Sequence, residues 1–184
     1  MKNYTKTIGI TIMVFLSVLS DIKGQSLFAP DFELNGMLKI EDTTGLSALV
    51  PKGISIQQYV NDSDECIYVL FTNNSCSEYA KAILHEGTHF TFYEFEVGTI
   101  DDLPLSVPYI RLPIDHFITE SQIRLGMAKE EIVRIKGDNI LFSSDRILSY
   151  DYNEGNSFDE RSYQYVIKFD EGAASMIHFG FLPL

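Results

Sequence analysis

Residues 85–89 read HEGTH, the spelling H-E-x-x-H. On a helix, His85 and His89 would stand one turn apart and hold a zinc ion, with Glu86 as the base that takes a proton from metal-bound water. The preceding stretch "SCSEYAKAILHE" suits that helix. It opens with Ser75 and Glu78 at capping-box spacing and supplies Tyr79, Ala80, Ile83 and Leu84 as an apolar stripe. The following stretch does not: Gly87 costs a helix about 1 kcal/mol relative to alanine, and "THFTFYEFEV" is crowded with β-branched and aromatic residues. A third ligand would have to come from Glu94, Glu96, His116 or Glu120, and the first two lie in that strand-like run. The competing reading is a hairpin with a two-residue loop at Glu86-Gly87, which sets Ile83 opposite Phe90 and Leu84 opposite His89. It needs a bulge near Phe92, or burial of both faces, because the apolar phase shifts from Phe90 and Phe92 to Tyr93, Phe95 and Val97. The hairpin is the favoured expectation, with no metal, no catalytic residue and no cofactor. A small secreted zinc peptidase using His85, Glu86 and His89 is the alternative.

Other chemistry-bearing residues are few. His116 and His178 stand singly among aromatic or apolar neighbours and read as packing or surface imidazoles. The acidic stretch "DYNEGNSFDE" lacks the carboxylate spacing and glycine position of a calcium loop. The chain shows no glycine-rich phosphate cradle and no G-x-S-x-G elbow.

The chain opens with Lys2 and Lys6, continues with the apolar run "IGITIMVFLSVLS" and then turns polar, the pattern of a signal peptide over residues 1–24. The run is shorter than the roughly 20 residues a membrane helix needs, and no second run is long enough, so no membrane span is expected. No cysteine follows either small-residue cleavage point, Ser20 or Gly24, so no lipid anchor is expected either. A periplasmic or secreted location follows, where Cys66 and Cys76 would meet oxidising conditions and a disulfide between them is the default. A hairpin turn at "TNNS" sets Cys66 away from Cys76, which leaves bridged and unbridged thiols both open. The formal net charge is −12, and removing residues 1–24 takes away more lysines than acids. Such acidity argues against nucleic acid as a partner, since phosphate recognition needs clustered Lys and Arg.

Residues 25–115 read as a β-rich region built of hairpins. The first turns at Asn35-Gly36, "ISIQQYV" reads as an interrupted strand, and "ECIYVLFT" is a strand apolar on both faces. Pro104, Pro108 and Pro113 mark a boundary near residue 115. Residues 116–184 then offer two short helices. The first has Thr119 and Gln122 as a capping box; the second, "MAKEEIVRIK", has Ile132 and Ile135 on one face and Gly137 as its stop. Strand-like segments follow at "NILFS", "DRILSYDYN", "RSYQYVIKFD" and "ASMIHFGFL". The expected class is α+β: two short helices on an antiparallel sheet in the C-terminal half, preceded by the β-rich half.

"FITESQIRLGMAKEEIVRIKG" and the closing "YVIKFDEGAASMIHFGF" resemble the SmpA/OmlA family of small outer-membrane assembly lipoproteins and the wider fold of the β-lactamase inhibitor proteins. The resemblance rests on Ile123, Leu125, Gly126, Met127, Glu131, Ile132 and Gly137. Two departures stand out: the lipid-attachment cysteine is missing, and Ala128 sits where a capping Thr or Ser is usual. The resemblance implies a non-catalytic module that binds another protein. Its contact surface is expected on an exposed sheet face or edge bearing Tyr150, Tyr152, Tyr163 and Tyr165, because tyrosine offers large contact area at small entropy cost. The alternative places these rings under a helix, in the core.

Overall fold

A computed structural model describes residues 28–42, 46–63, 66–84, 91–103, 107–153 and 162–182. The strands are β1 Glu33–Leu34, β2 Leu38–Lys39, β3 Val60–Asp62, β4 Ile67–Thr72, β5 Glu78–Leu84, β6 Phe92–Thr99, β7 Tyr109–Arg111, β8 Phe142–Ser143, β9 Ile147–Asn153, β10 Ser162–Asp170 and β11 Ala173–Phe181. The helices are α1, a single turn at Leu46–Leu49, and α2, Lys129–Lys136. β1 and β2 form a small ribbon; the other nine strands make one sheet in the order β3-β4-β5-β6-β11-β10-β9-β8, with β7 alongside β4. Among the described strands only the β4–β7 pair is parallel.

This corrects the α+β expectation: the fold is mostly β, with one helix longer than a single turn among the described residues. The first expected helix is absent because its signal was satisfied differently. Thr119 Oγ1 accepts from the Ile123 amide, Gln122 N–H bonds back to the Thr119 carbonyl, and Gln122 takes φ +67. A left-handed residue closes a turn and cannot continue a right-handed helix. Thr119 instead bridges Leu34. Likewise "ISIQQY" is no strand; Ser55 caps a short 3₁₀ turn at Ile56–Tyr59, and β3 starts only at Val60. The boundary expected near residue 115 divides nothing at the level of the sheet, since β6 from the first portion pairs with β11 from the second.

Other local signals hold. Asn35 and Gly36 both take positive φ in the β1–β2 turn. Gly137 stops α2 at φ +87, its N–H bonded to the Val133 carbonyl. β10 alternates as its sequence does: Tyr163, Tyr165, Ile167 and Phe169 are buried, and the residues between them are not.

One face of the sheet carries the main core. Val69, Phe71, Phe95, Val97, Tyr165, Ile167, Ile177 and Phe179 pack beneath a layer formed by residues 28–40, 112–127 and α2, which contribute Phe28, Leu34, Leu38, Phe117, Ile123, Met127 and Ile132. The residues of the resemblance serve this layer. Ile123, Leu125 and Met127 are buried, and Gly126, at φ +81, lets the chain bond to Ala174 on both sides of the turn. On the other face Tyr68, Leu70 and Tyr79 form a smaller cluster with Ile100, Leu103 and Val107. β4 therefore meets apolar neighbours on both sides, as its unbroken apolar run implied.

Candidate functional site

The five residues of HEGTH lie outside the described residues, but their flanks are defined. Glu78–Leu84 is strand β5, not the helix the zinc reading requires, and it pairs with β6 up to Leu84↔Phe92. The hairpin expectation therefore holds in kind but not in register: Ile83 stands opposite Glu94 and Leu84 opposite Phe92. Between these pairs the register shifts, leaving Tyr93 as the extra residue of a bulge. That bulge reconciles the apolar phase, because Phe92, Phe95 and Val97 all reach the core.

Each residue considered as a third ligand is engaged elsewhere. His116 Nδ1 lies 2.6 Å from Glu78 Oε1, whose other oxygen accepts from Phe117 N–H. Glu120 Oε2 accepts from Phe32 N–H at 3.3 Å. Glu94 pairs with His178 at 2.7 Å, and Glu96 with Lys81 at 3.0 Å and the Tyr79 hydroxyl at 2.8 Å.

The tyrosines are corrected too. Tyr150, Tyr163 and Tyr165 are fully buried and Tyr152 is half-buried against the core, so they form no contact surface. At two of these positions the hydroxyl explains why tyrosine rather than phenylalanine is present. Tyr150 donates to the Gly137 carbonyl at the end of α2 at 3.0 Å, and Tyr163 donates to the Asp31 carbonyl while accepting from the Asp31 N–H. Burial, then the Asp138 charge, pushes the Tyr150 phenol up to about 12. A phenol raised on folding contributes stability below its unfolded value, and that contribution is lost as pH rises through the folded one. Wild type should therefore lose this term between pH 10.0 and about 12, followed by urea unfolding. Tyr150→Phe should cost about 1–3 kcal/mol at pH 7, because the helix-end carbonyl is left unpaired.

Beside these rings lies a feature that sequence reading missed. Lys136 and Asp31 are both buried, with Nζ 2.8 Å from Asp31 Oδ2, 2.7 Å from the Ala29 carbonyl and 2.9 Å from Ser121 Oγ. Nζ also sits 4.6 Å above the Tyr165 ring and 5.1 Å above that of Phe28. Ile135, expected on the inner face of α2, is instead 38% exposed; the stripe is Ile132 and Lys136, four residues apart. In "RIKG" the lysine looked like an ordinary cation at a helix end, so no local signal marked it.

With the tyrosines turned inward, the opposite face of the same strands presents Ser149, Asp151, Gln164, Val166, Met176 and His178, all partly exposed. No helix among the described residues packs over them. Cross-strand pairing sets Lys81, Glu96, His178, Val166, Ser149 and Phe142 in one row across β5, β6, β11, β10, β9 and β8. Phe142, at the sheet edge, is 54% exposed and follows Leu141, which is 63% exposed. Glu96 is held below the usual carboxylate range: burial raises it, and the hydrogen bonds from Lys81 and Tyr79 more than reverse that. The face thus has an apolar stretch around Val166 and Met176 flanked by charges already fixed by pairing.

Cys66 and Cys76 are not bridged to one another. They lie beyond opposite ends of β4, whose length at about 3.3 Å per residue keeps them roughly 20 Å apart, well beyond disulfide reach.

Comparison with family models, with curated proteins and with solved structures finds no match for this chain.

Proposed function

We propose that this protein is a non-enzymatic module that binds another protein in the periplasm or outside the cell, through the open face of its sheet rather than through its tyrosines. The supporting observation is the single row from His178 through Val166 and Ser149 to Phe142, partly exposed along its length and ending in a large apolar side chain at the sheet edge. Apolar area with pre-fixed charges at its margin is how protein interfaces combine desolvation with specificity. The signal-like residues 1–24 support the location, and the resemblance to the assembly lipoproteins supports the class.

A photo-cross-linking residue at Val166, in the full chain expressed in its native cells, should give one discrete adduct with another protein. The same residue at Glu171, in the exposed β10–β11 turn, should give none. Adducts of equal yield at both positions, or none at Val166, would refute the assignment of this face.

A further inference from the structure

The sulfur of Cys76 meets donors contributed by two separate strands. Cys76 sits in the β4–β5 turn at φ +54, which turns its side chain over the end of β4. There Arg111 of β7 donates twice to Sγ, from Nε at 3.2 Å and Nη2 at 2.9 Å. Thr72 Oγ1 lies 3.8 Å from the same atom. The parallel pairing of β4 with β7 sets this up, since it places Leu70 beside Tyr109 and Thr72 beside Arg111 on one face. Arg111, through these hydrogen bonds, holds the thiol below its ordinary value against the opposing effect of burial. A guanidinium with two N–H groups aimed at sulfur favours thiolate, the form that reacts.

The same sulfur borders a cavity of about 140 Å³ whose walls are Leu70, Ile100, Leu103 and Val107. A thiolate at the rim of an apolar cavity is set up for a reagent with one reactive end and one apolar end. We propose that Cys76 is a modification site that takes oxygen from an alkyl hydroperoxide, with the apolar group of the peroxide seated in this cavity. The thiolate lone pair attacks the terminal peroxide oxygen; the S–O bond forms as the O–O bond breaks. The departing alkoxide takes the proton of the terminal hydroxyl, leaving a sulfenate and an alcohol. Sulfur loses two electrons and the peroxide gains them. Cys66, beyond the other end of β4, is too distant to resolve the sulfenate within the same chain.

The test uses the full chain carrying Cys66→Ser, treated with cumene hydroperoxide or with hydrogen peroxide and trapped with dimedone for intact-mass analysis. Cys76 should label at pH 6.5, where an ordinary thiol is almost wholly protonated. It should prefer the alkyl peroxide by about tenfold over the preference of free cysteine. Arg111→Met should lower the rate at pH 6.5 by about tenfold, because the thiol then loses the guanidinium that favours its thiolate. Val107→Trp, which fills the cavity, should abolish the alkyl preference and leave the iodoacetamide rate unchanged, a control that also shows that the fold persists. A Cys76 that reacts no faster than free cysteine, is indifferent to Arg111→Met, or keeps its alkyl preference with the cavity filled would overturn the proposal.

Discussion

Lys136→Ala should destabilise the protein by about 3–5 kcal/mol in urea unfolding at pH 7, one of the two largest effects expected of a single substitution here. The carboxylate of Asp31 is wholly buried, and Lys136 is the only cation paired with it among the described residues. Removing one member of a buried pair leaves the other uncompensated in a medium that solvates it poorly. Ser121 would still give Asp31 Oδ1 its N–H and hydroxyl, which is why folding should weaken rather than fail outright. The double substitution Asp31→Leu with Lys136→Met separates pairing from packing. If the loss comes from an orphaned charge, the double variant should recover most of it, because apolar replacements of buried ion pairs are commonly neutral or better. If it is as unstable as the single variant, the alkyl stem of Lys136 between the rings of Phe28 and Tyr165 matters more than its charge.

Gly180→Ala should be comparably severe, costing about 3 kcal/mol or more, for a reason that lies on the neighbouring strand. Gly180 pairs with Glu94 immediately after the Tyr93 bulge, and its φ of +146 is one that side-chain-bearing residues rarely adopt. A β-carbon there would meet the Tyr93 carbonyl oxygen at 2.2 Å and Glu94 Cα at 2.5 Å, both backbone atoms with no rotamer to escape into. The bulge presses β6 against β11, and the missing side chain makes the space. Gly126→Ala is the control. Its φ is also positive, but a β-carbon there would meet nothing within 4 Å, so it should show conformational strain alone, about 1 kcal/mol. Equal losses in the two variants would mean that the close approach of β6 to β11 contributes nothing.

The hairpin across residues 78–99 shows how far sequence reasoning reached. The conflict between the apolar phase of Phe92 and that of Phe95 called for a bulge or for burial of both faces, and a bulge is what formed. The register was misjudged because Glu86-Gly87 looks like a two-residue turn that would set Leu84 opposite His89, while the described ladder sets Leu84 opposite Phe92. Turn propensity is weighed over two residues, whereas register follows which side chains the core accepts along the entire strand.

Elements written in short-range pattern were legible in advance. The two-faced burial of β4, the alternation of β10, the stop at Gly137 and the turn at Asn35-Gly36 need only neighbours in the chain, and each formed as the residues imply. Alternation reports that a strand has two unlike faces; it does not report which of them another segment will cover. Only the packing of residues 28–40, 112–127 and α2 over one side decided that Tyr150, Tyr163 and Tyr165 belong to the core and Val166 and His178 to the open face. The same long-range packing brought Asp31 to Lys136 and Arg111 to Cys76. Those pairs have no signature in sequence, because the distance that makes them chemistry is set by packing between segments far apart in the chain.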